Sequence, residues 1–440
     1  MDSTTAIHLD GLEEESGHNS GDNFGPLDNV IAQSQLADAA VPDGGYGWVI
    51  VSACAVLAFW FVGTTYCWGV IQTPLVQEGL ASPSTLSFVG SLAVGLNSVF
   101  AITSARLMQR IGAKWTGVLG ISLLSAGELF AGFATHSVGG LFATAGFTLG
   151  VGVSLCFVTV STVTAQYFFR KRGLANGIVF AGGGLGGAII SFAMDGLIDR
   201  LGVAWTFRVI GMLQLATGLP AALLIKERAQ AQRHSFIDWQ LFRDPSFVLI
   251  FLAGAIATFP LFVPPFFLPL YTRSIGLSSS AGAGLVAAFN FSSALGRVGF
   301  GLLADRIGPL NSLFIGLVLS ATSMLAVWPV SGTLAPLAVF VIINGAANGS
   351  FFATMPTVVG HLFGSVRVAV AMATIVTSWS GGYLLGAPIA GYILGAYGGP
   401  NASFPAYRPA IYYSGAMAVG AAVLVGVVRL RKELRVLKKV

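Results

Sequence analysis

The chain has 440 residues, of which 55% are hydrophobic and only 9% are charged, with a mean hydropathy of +0.79. A soluble domain needs about 25% charged residues to solvate its surface, so this composition excludes a soluble protein. The formal net charge of +5 does not indicate nucleic-acid binding, because the basic residues lie in short loops between apolar stretches.

The first segment, residues 1–43, holds nine acidic residues and no Lys or Arg. Its Gly, Ser and Asn content cannot bury a core, so we expect a disordered acidic tail. The segment lacks the basic start and following apolar run of a signal peptide, and a cleaved leader is therefore not expected.

Twelve apolar stretches follow, each near the ~20 residues that cross the ~30 Å hydrocarbon layer of a bilayer. The predicted transmembrane helices are 47–71, 85–105, 115–134, 139–167, 173–194, 204–225, 247–271, 281–303, 310–330, 334–359, 368–396 and 409–429. We refer to them as spans 1 to 12. The fold class predicted is an all-α polytopic membrane protein.

The basic residues are unequally divided between the two ends of the spans. If the N-terminus is inside, 18 of the 23 Lys and Arg residues lie in the inner loops and the C-terminal tail. Inner loops carry the excess of Lys and Arg in membrane proteins, so both termini are predicted to be cytoplasmic. The plasma membrane is the expected location.

The chain also repeats itself. Arg110-Ile111-Gly112 after span 2 recurs 196 residues later as Arg306-Ile307-Gly308 after span 8. Equivalent loops six spans apart predict two six-helix halves of the same orientation, as in two-domain transporters. The predicted organisation is a tail at 1–43, halves at 44–225 and 247–430, a cytoplasmic linker at 226–246 and a basic tail at 431–440.

The segment 296–308, Gly-Arg-Val-Gly-Phe-Gly-Leu-Leu-Ala-Asp-Arg-Ile-Gly, resembles the loop motif of the major facilitator superfamily. Its glycines allow two helices to approach closely. Asp305 and Arg306 are candidates for a charged gating latch, or they only mark the helix end as topology charges. In the first half, Gln109 replaces the acid and Ala105 a glycine, so no equivalent latch is expected there.

Four further segments resemble the monocarboxylate transporter family. Pro42–Val49 (PDGGYGWV) resembles the start of its first span, and 167–177 (YFFRKRGLANG) its loop between spans 4 and 5. Trp68–Gln72 and Phe351–Thr357 are similar to the fungal branch. The resemblance covers residues 42–430 and implies alternating-access transport of a small organic acid. Lys171 and Arg172 match the basic loop of the family, with topology charges as the alternative role.

Arg297 is the main candidate for substrate binding. A cation within a membrane span usually faces a cavity and marks a substrate or ion path. A guanidinium can hold a carboxylate through two parallel hydrogen bonds. The resemblance implies the same role, but the family pairs this arginine with an aspartate four residues earlier, where this chain has Ser293. The family lysine of span 1 corresponds to Tyr66. The alternative is an arginine that locks the helix bundle.

These departures remove the usual proton-coupling acid. Glu128 in span 3 is the remaining acid that the sequence places clearly within the membrane. It is a candidate proton carrier if burial favours its protonated form, and the alternative is a hydrogen-bonded structural acid. Proton coupling is therefore an open hypothesis.

The sequence contains three other patterns: a glycine motif, three cysteines and a glycosylation triplet. Gly182, Gly184 and Gly187 match GxGxxG, but the motif lies in an apolar span and predicts a smooth helix face for close packing. Cys54, Cys67 and Cys156 show no spacing typical of a disulfide or metal site. Asn401-Ala402-Ser403 is a glycosylation candidate on the outer side.

The function predicted is secondary transport of a small organic anion, with proton coupling as an open hypothesis and with no cofactor and no ATP-binding loop. One alternative is efflux of a fungal secondary metabolite. A polytopic membrane enzyme and a receptor without flux are the alternatives from other classes. An enzymatic role is not expected, because the chain has only five His residues to supply a catalytic cluster. Cargo, direction, oligomeric state and ancillary subunits are not readable from the sequence.

Overall fold

The computed structural model describes residues 44–168, 172–228, 239–400 and 403–433, and the predicted acidic tail lies outside this part of the chain. Every regular element in the described residues is helical. The α-helices are α1 Gly47–Tyr66, α2 Trp68–Gln77, α3 Pro83–Val99, α4 Ala101–Ala131, α5 Val138–Leu141, α6 Leu149–Tyr167, α7 Arg172–Leu224, α8 Pro245–Leu261, α9 Val263–Ser274, α10 Ser279–Ile307, α11 Pro309–Thr322, α12 Leu334–Ala396 and α13 Arg408–Lys432. π-helical segments at Phe142–Thr148 and Ser323–Val327 interrupt spans 4 and 9. Short 3-10 segments lie at Trp239–Arg243, Trp328–Val330 and Phe404–Tyr407.

Eight helical stretches of the described chain are long and apolar enough to cross a membrane, or nine if the bent pair α3–α4 counts as one. Three of the longer stretches hold two crossings each. α4 is interrupted at Gly112 and α7 at Gly202, where the backbone leaves helical geometry with φ of 82° and 78°. These positions separate spans 2 and 3 and spans 5 and 6, which agrees with the predicted all-helical fold of twelve spans.

The third double crossing is α12, which is 63 residues long. The rings of Phe351 and Trp379 lie 5.2 Å apart, although a straight helix would separate these residues by about 42 Å. The chain therefore turns back on itself between Phe351 and Trp379. Spans 10 and 11 are the two arms of this turn.

Structural features repeat at the spacing that the sequence suggested. Ser82 caps the N-terminus of α3 by accepting from Thr85, and Ser278 caps α10 by accepting from Ala281. Gly112 and Gly308, also 196 residues apart, both have positive φ, which glycine adopts without strain. The two halves thus begin span 2 and span 8, and end them, by the same local devices. The boundaries of the halves and the linker stay predictions.

The helix bundle has two ends. The linker face carries Gly112, Lys226 and Gly308, and the far face carries Gly79, Gly202 and Gly276. The linker face is the end predicted to be cytoplasmic. Large apolar side chains are exposed around the bundle between these faces, including Phe133, Ile189 and Phe192, as expected for a surface in contact with lipid.

One predicted boundary was wrong in a way that matters. Span 5 was expected to end at residue 194, but α7 stays helical to Leu201, so Asp195 lies inside it. Asp195 is buried and accepts a hydrogen bond of 3.0 Å from Ser279. A buried acid is tolerated inside a helix end when its carboxylate has a hydrogen-bond partner. Asp195 is therefore a second buried acid of the spans, in addition to Glu128.

Candidate functional site

The centre of the bundle is built where two spans are broken. α1 ends at Tyr66 and α2 begins at Trp68, with Cys67 between them at φ −88° and ψ 0°. α8 ends at Leu261 and α9 begins at Val263, with Phe262 between them at φ −100° and ψ −4°. The breaks lie 195 residues apart and occupy equivalent places in spans 1 and 7. Discontinuous spans at such places typically hold the substrate and ion sites of secondary transporters.

The break in span 7 has a clear sequence cause. Pro265 has no backbone N–H, so the carbonyl of Leu261, four residues earlier, loses its helical partner. The side-chain amide of Asn348 replaces that partner and donates to the carbonyl at 3.0 Å. Span 1 contacts the same region, because Gly69 lies directly on the carbonyls of Pro265 and Phe266. The two broken spans therefore pack backbone against backbone.

Arg297 lies beside this junction and is only 5% exposed. Its Nη1 donates to the carbonyl of Phe180 in span 5 at 2.6 Å, and its guanidinium stacks 5.3 Å from the ring centre of Phe352. The hydroxyl of Tyr66 is next to it. Its Nε has no hydrogen-bond partner among the described residues. The arginine thus contacts neutral groups and retains an unused donor.

Tyr66 connects the two halves. Its hydroxyl donates to Oδ1 of Asn348 at 3.1 Å. Its ring lies 4.8 Å from that of Phe262 and 6.4 Å from that of Phe289. The structure therefore brings together Tyr66 and Arg297, two of the residues predicted for substrate binding. Their role in binding stays a prediction.

An aromatic wall continues from this point across span 11. Phe262 contacts Tyr383 at 5.5 Å, and Tyr383 contacts Trp379 at 6.1 Å between ring centres. Sequence reasoning did not identify Asn348, Tyr383 or Trp379. The sequence did contain a clue to Asn348. An asparagine in an apolar span needs a buried polar partner, and Pro265 leaves a backbone carbonyl without its helical hydrogen bond.

Two other predicted site residues, Ser293 and Glu128, lie in different parts of the bundle. Ser293 is buried one turn before Arg297 and its hydroxyl has no partner within the described chain. Glu128 lies inside the first half, in a cavity that it lines with Thr64, Thr65 and Trp68 and that Arg297 does not line. Ser293 therefore belongs to the central site by position, whereas Glu128 belongs to a separate one.

The predicted smooth glycine face of span 5 is confirmed. A methyl group on Gly182 would meet the carbonyl of Ala55, and one on Gly186 would meet the backbone of Phe59, both in span 1. On its other side, Gly184 faces span 8, where a methyl group would lie 2.6 Å from Cβ of Ala294. The glycines thus let span 5 pack closely on its own half and on the other half.

Contacts between spans 5 and 8 are confined to part of their length. They run from Asp195–Ser279 at the far face, through Gly184–Ala294, to the Phe180–Arg297 hydrogen bond. The next positions in the same register are Gly177 and Gly301, and a methyl group on either would meet nothing within 4 Å. The two helices therefore separate beyond Arg297. The structure is closed towards the far face and open towards the linker face along this pair.

The predicted gating residues occupy the linker face. Asp305 and Arg306 are exposed at the end of α10. The loop after them is held by Asn311, whose side chain donates to the carbonyl of Ile307 at 2.7 Å and accepts from Nε of Arg429 at 2.7 Å. Arg429, a buried arginine that sequence reasoning placed among the topology charges, thus anchors this loop to span 12.

Three predictions fall at the limits of the described residues. Lys171 and the glycosylation candidate Asn401 lie outside them, and Arg172 is described only by its backbone at the start of α7. Within the described residues no group of three or more His, Cys, Asp or Glu side chains is placed to hold a metal ion. Cys54, Cys67 and Cys156 are buried and none forms a disulfide.

Comparison with known proteins identifies the class. The profile of the Major Facilitator Superfamily matches residues 48–299 and 250–439, and the chain belongs to this family. It is an integral, multi-pass membrane transporter. A bacterial homologue of the human lysosomal transporter Spinster, in an inward-facing and unoccupied conformation, shares the fold with a TM-score of 0.69, at 17% identity over 90% of this chain and 99% of that one.

Two curated relatives are fungal. The aspyridones efflux protein apdF of Emericella nidulans is 30% identical over 81% of this chain and 74% of its own length. The agnestins efflux protein AgnL12 of Paecilomyces divaricatus is 30% identical over 85% of this chain and 88% of its own length. The finer resemblance to monocarboxylate transporters is not shown by these comparisons.

Proposed function

We propose that this transporter exports an acidic secondary metabolite with a large apolar or aromatic body. The relatives named as efflux proteins support export over the first expectation, which was transport of a small monocarboxylate. The observation that carries the proposal is the buried guanidinium of Arg297, which has a free Nε donor and neutral groups as partners. A buried charge without a counter-ion is costly, and an anionic cargo would supply one.

The surroundings of Arg297 fit such a cargo better than a small acid. Tyr66, Phe262, Phe289, Phe352 and Tyr383 provide ring surfaces for an extended planar body. The unpaired hydroxyl of Ser293 adds a polar contact, where the monocarboxylate family has an aspartate. A neutral residue at this place leaves the arginine available to the cargo. The monocarboxylate reading keeps Arg297 in the same role and stays the second candidate.

The proposed mechanism is alternating access. In the present conformation the Phe180 carbonyl holds Arg297 across the interface of spans 5 and 8. A carboxylate or enolate that enters from the linker face brings a negative charge to the buried guanidinium, and a carboxylate can accept two parallel hydrogen bonds from it, neither of which the single Phe180 carbonyl provides. It therefore displaces the carbonyl and releases the last contact of this helix pair. The halves then part at the far face and close at the linker face, where Asp305 and Arg306 are proposed to act as a latch.

For export in this direction, the linker face, both termini and the basic loop with Lys171 and Arg172 are proposed to be cytoplasmic. The far face and Asn401 are then outside the cell, and the proposed location is the plasma membrane. The rival classes, a membrane enzyme or a receptor without flux, predict no movement of solute. Flux through purified protein in sealed vesicles separates them from a transporter.

The test uses the full-length protein in vesicles and a panel of aromatic and aliphatic organic acids. Arg297→Gln is expected to reduce flux by about 10- to 150-fold, because a hydrogen bond to a charged group is worth about 1.5–3 kcal/mol. Arg208→Gln is the matched control. Arg208 also donates to a helix carbonyl, at Gly132, and stacks on Phe133, but it lies away from the site.

Loss of flux in the Arg297 variant alone, at equal membrane expression, supports the proposal. Equal flux in wild type and Arg297→Gln would show that the arginine only locks the bundle. If aliphatic monocarboxylates are carried and aromatic acids are not, the monocarboxylate reading replaces the export proposal.

A further inference from the structure

A second buried polar site lies inside the first half, apart from Arg297. A small cavity of about 20 Å³ lies between spans 1 to 4, which is enough for about one water molecule. Its lining residues are Thr64, Thr65, Trp68, Gly90, Ala93, Glu128, Ala145 and Leu149. The lining is apolar except for one carboxyl group, two hydroxyl groups and an indole.

Glu128 is the acid of this cavity and is only 3% exposed. Its Oε2 has no hydrogen-bond partner among the described residues. A buried charge without a partner is strongly unfavourable, and a carboxyl group escapes that penalty by binding a proton. Within the described residues, no direct hydrogen bond from a protein group reaches this oxygen.

Among the described residues, no cation is paired with Glu128. Span 1 contributes Cys67, whose thiol donates to the carbonyl of Gly187. Spans 2 and 4 contribute the uncharged lining of the cavity. Span 6 contributes Arg208, whose Nη2 donates to the carbonyl of Gly132 and which stacks on Phe133. Its Nε has no hydrogen-bond partner in this part of the chain, but Arg208 does not line the cavity. The proton is therefore the positive charge that Glu128 can accept.

A water molecule in the cavity would have suitable partners. The hydroxyl groups of Thr64 and Thr65 donate to the carbonyls of Trp60 and Phe61, at 2.7 and 2.5 Å. Their oxygen atoms therefore remain acceptors that face a water placed against Glu128.

The cavity lies near the far face, and further buried polar groups lie on its linker-face side. Glu128 lies three residues from the far-face end of α4, about 5 Å along the helix. Towards the linker face, Ser125 and Gln214 are buried with side-chain atoms that have no partner within the described chain. Gly211 packs on the carbonyl of Ser125, so Gln214 lies on the same side of span 6. Polar groups thus continue inwards from the carboxyl group.

The cavity is also coupled to the central site through the broken first span. Tyr66 faces Arg297, Trp68 faces the cavity, and Cys67 between them is the break. Across the cavity, span 2 contacts the second half, where Ser84 donates to the carbonyl of Pro388. A change at Glu128 therefore acts on elements that separate when the far face opens.

We propose that Glu128 and this cavity form a proton-binding site that couples export to proton entry from the far face. This rests on the export proposal only for the direction of coupling. When the far face opens, the carboxylate takes one proton from water and becomes a neutral carboxyl group. The carboxyl group keeps this proton through closure, in keeping with its burial in the present conformation, and later releases it towards the linker face, so one proton enters as one cargo anion leaves.

The first test needs no cargo. Infrared difference spectra of the purified full-length protein are recorded as the pH is raised. Wild type is expected to lose the carbonyl band of a buried protonated carboxyl group, and Glu128→Gln to lack that band. Asp195→Asn is the matched control, because Asp195 is also buried but is paired with Ser279, and it should keep the band. An unchanged band in Glu128→Gln, or a carboxyl band that stays at every pH, overturns the proposal.

The second test measures coupling. Spin labels on cysteines introduced at Gln77 and Ser280, both exposed at the far face and in different halves, report its opening. The distance distribution of wild type is expected to shift with pH alongside the infrared band, and that of Glu128→Gln to be insensitive. A variant that still follows pH like wild type refutes the coupling. Both measurements can be made even if no exported cargo is found. If they contradict the proton-binding proposal, the export proposal is unaffected.

Discussion

Replacing Gly184 with alanine is expected to open the far face without unfolding the protein. The added Cβ would lie 2.6 Å from Cβ of Ala294 and 2.9 Å from the carbonyl oxygen of Asn290. Carbon atoms prefer a separation of about 3.5–4.0 Å, so the two Cβ atoms would lie about 1 Å too close. Both contacted groups belong to the rigid helix α10, in the other half. The strain is relieved when spans 5 and 8 separate, which is the motion that opens the far face.

The size of the effect follows from the kind of contact. Inserting a methyl group into a well-packed interface costs about 1–3 kcal/mol. The gain in helix propensity from Gly to Ala is the same in both conformations and cancels. The far-closed state should therefore lose about 5- to 150-fold in population relative to the far-open state.

The assay is the distance distribution between spin labels on cysteines at Gln77 and Ser280, in purified full-length protein. The native cysteines are all buried, so they do not compete for the label. Gly196→Ala is the matched control, because it lies on the same helix and a methyl group there meets nothing within 4 Å. It should leave the distribution unchanged.

Gly177→Ala tests the reverse direction. Gly177 and Gly301 have open space here and would approach each other when the linker face closes. A methyl group on Gly177 should therefore hold the protein in the far-closed state. If Gly184→Ala populates the far-open state no more than Gly196→Ala does, the contact is not specific to one conformation and the reasoning fails.

Two further substitutions examine the central junction. Asn348→Leu leaves the carbonyl of Leu261 and the hydroxyl of Tyr66 without their partner, and each buried orphan costs about 1–3 kcal/mol, so the melting temperature in detergent should fall. An unchanged melting temperature would mean that water replaces the amide. Tyr66→Phe keeps the ring contacts but removes the hydroxyl beside Arg297, and it should weaken cargo affinity by up to about tenfold with folding intact. Unchanged affinity, measured by flux against cargo concentration, would exclude the hydroxyl from binding.

The sequence by itself determined the membrane fold, because the length and polarity of each span are local properties. Apolar runs of bilayer length predicted the spans, and the repeat of Arg110-Ile111-Gly112 at 196 residues predicted equivalent turns, which the positive φ of Gly112 and Gly308 now bears out. The glycine face of span 5 was readable for the same reason. A side chain of one hydrogen atom allows close approach whatever its neighbour is.

Only the tertiary structure decided the partners of the polar groups, since these are set by packing between segments far apart in the chain. Nothing local shows that Arg297 binds the carbonyl of Phe180, 117 residues away, or that Asn348 serves the carbonyl exposed by Pro265. The separation of Glu128 from Arg297 was equally hidden. Hydrophobic length assigns a residue to the membrane, whereas the choice of hydrogen-bond partner depends on which helix faces meet.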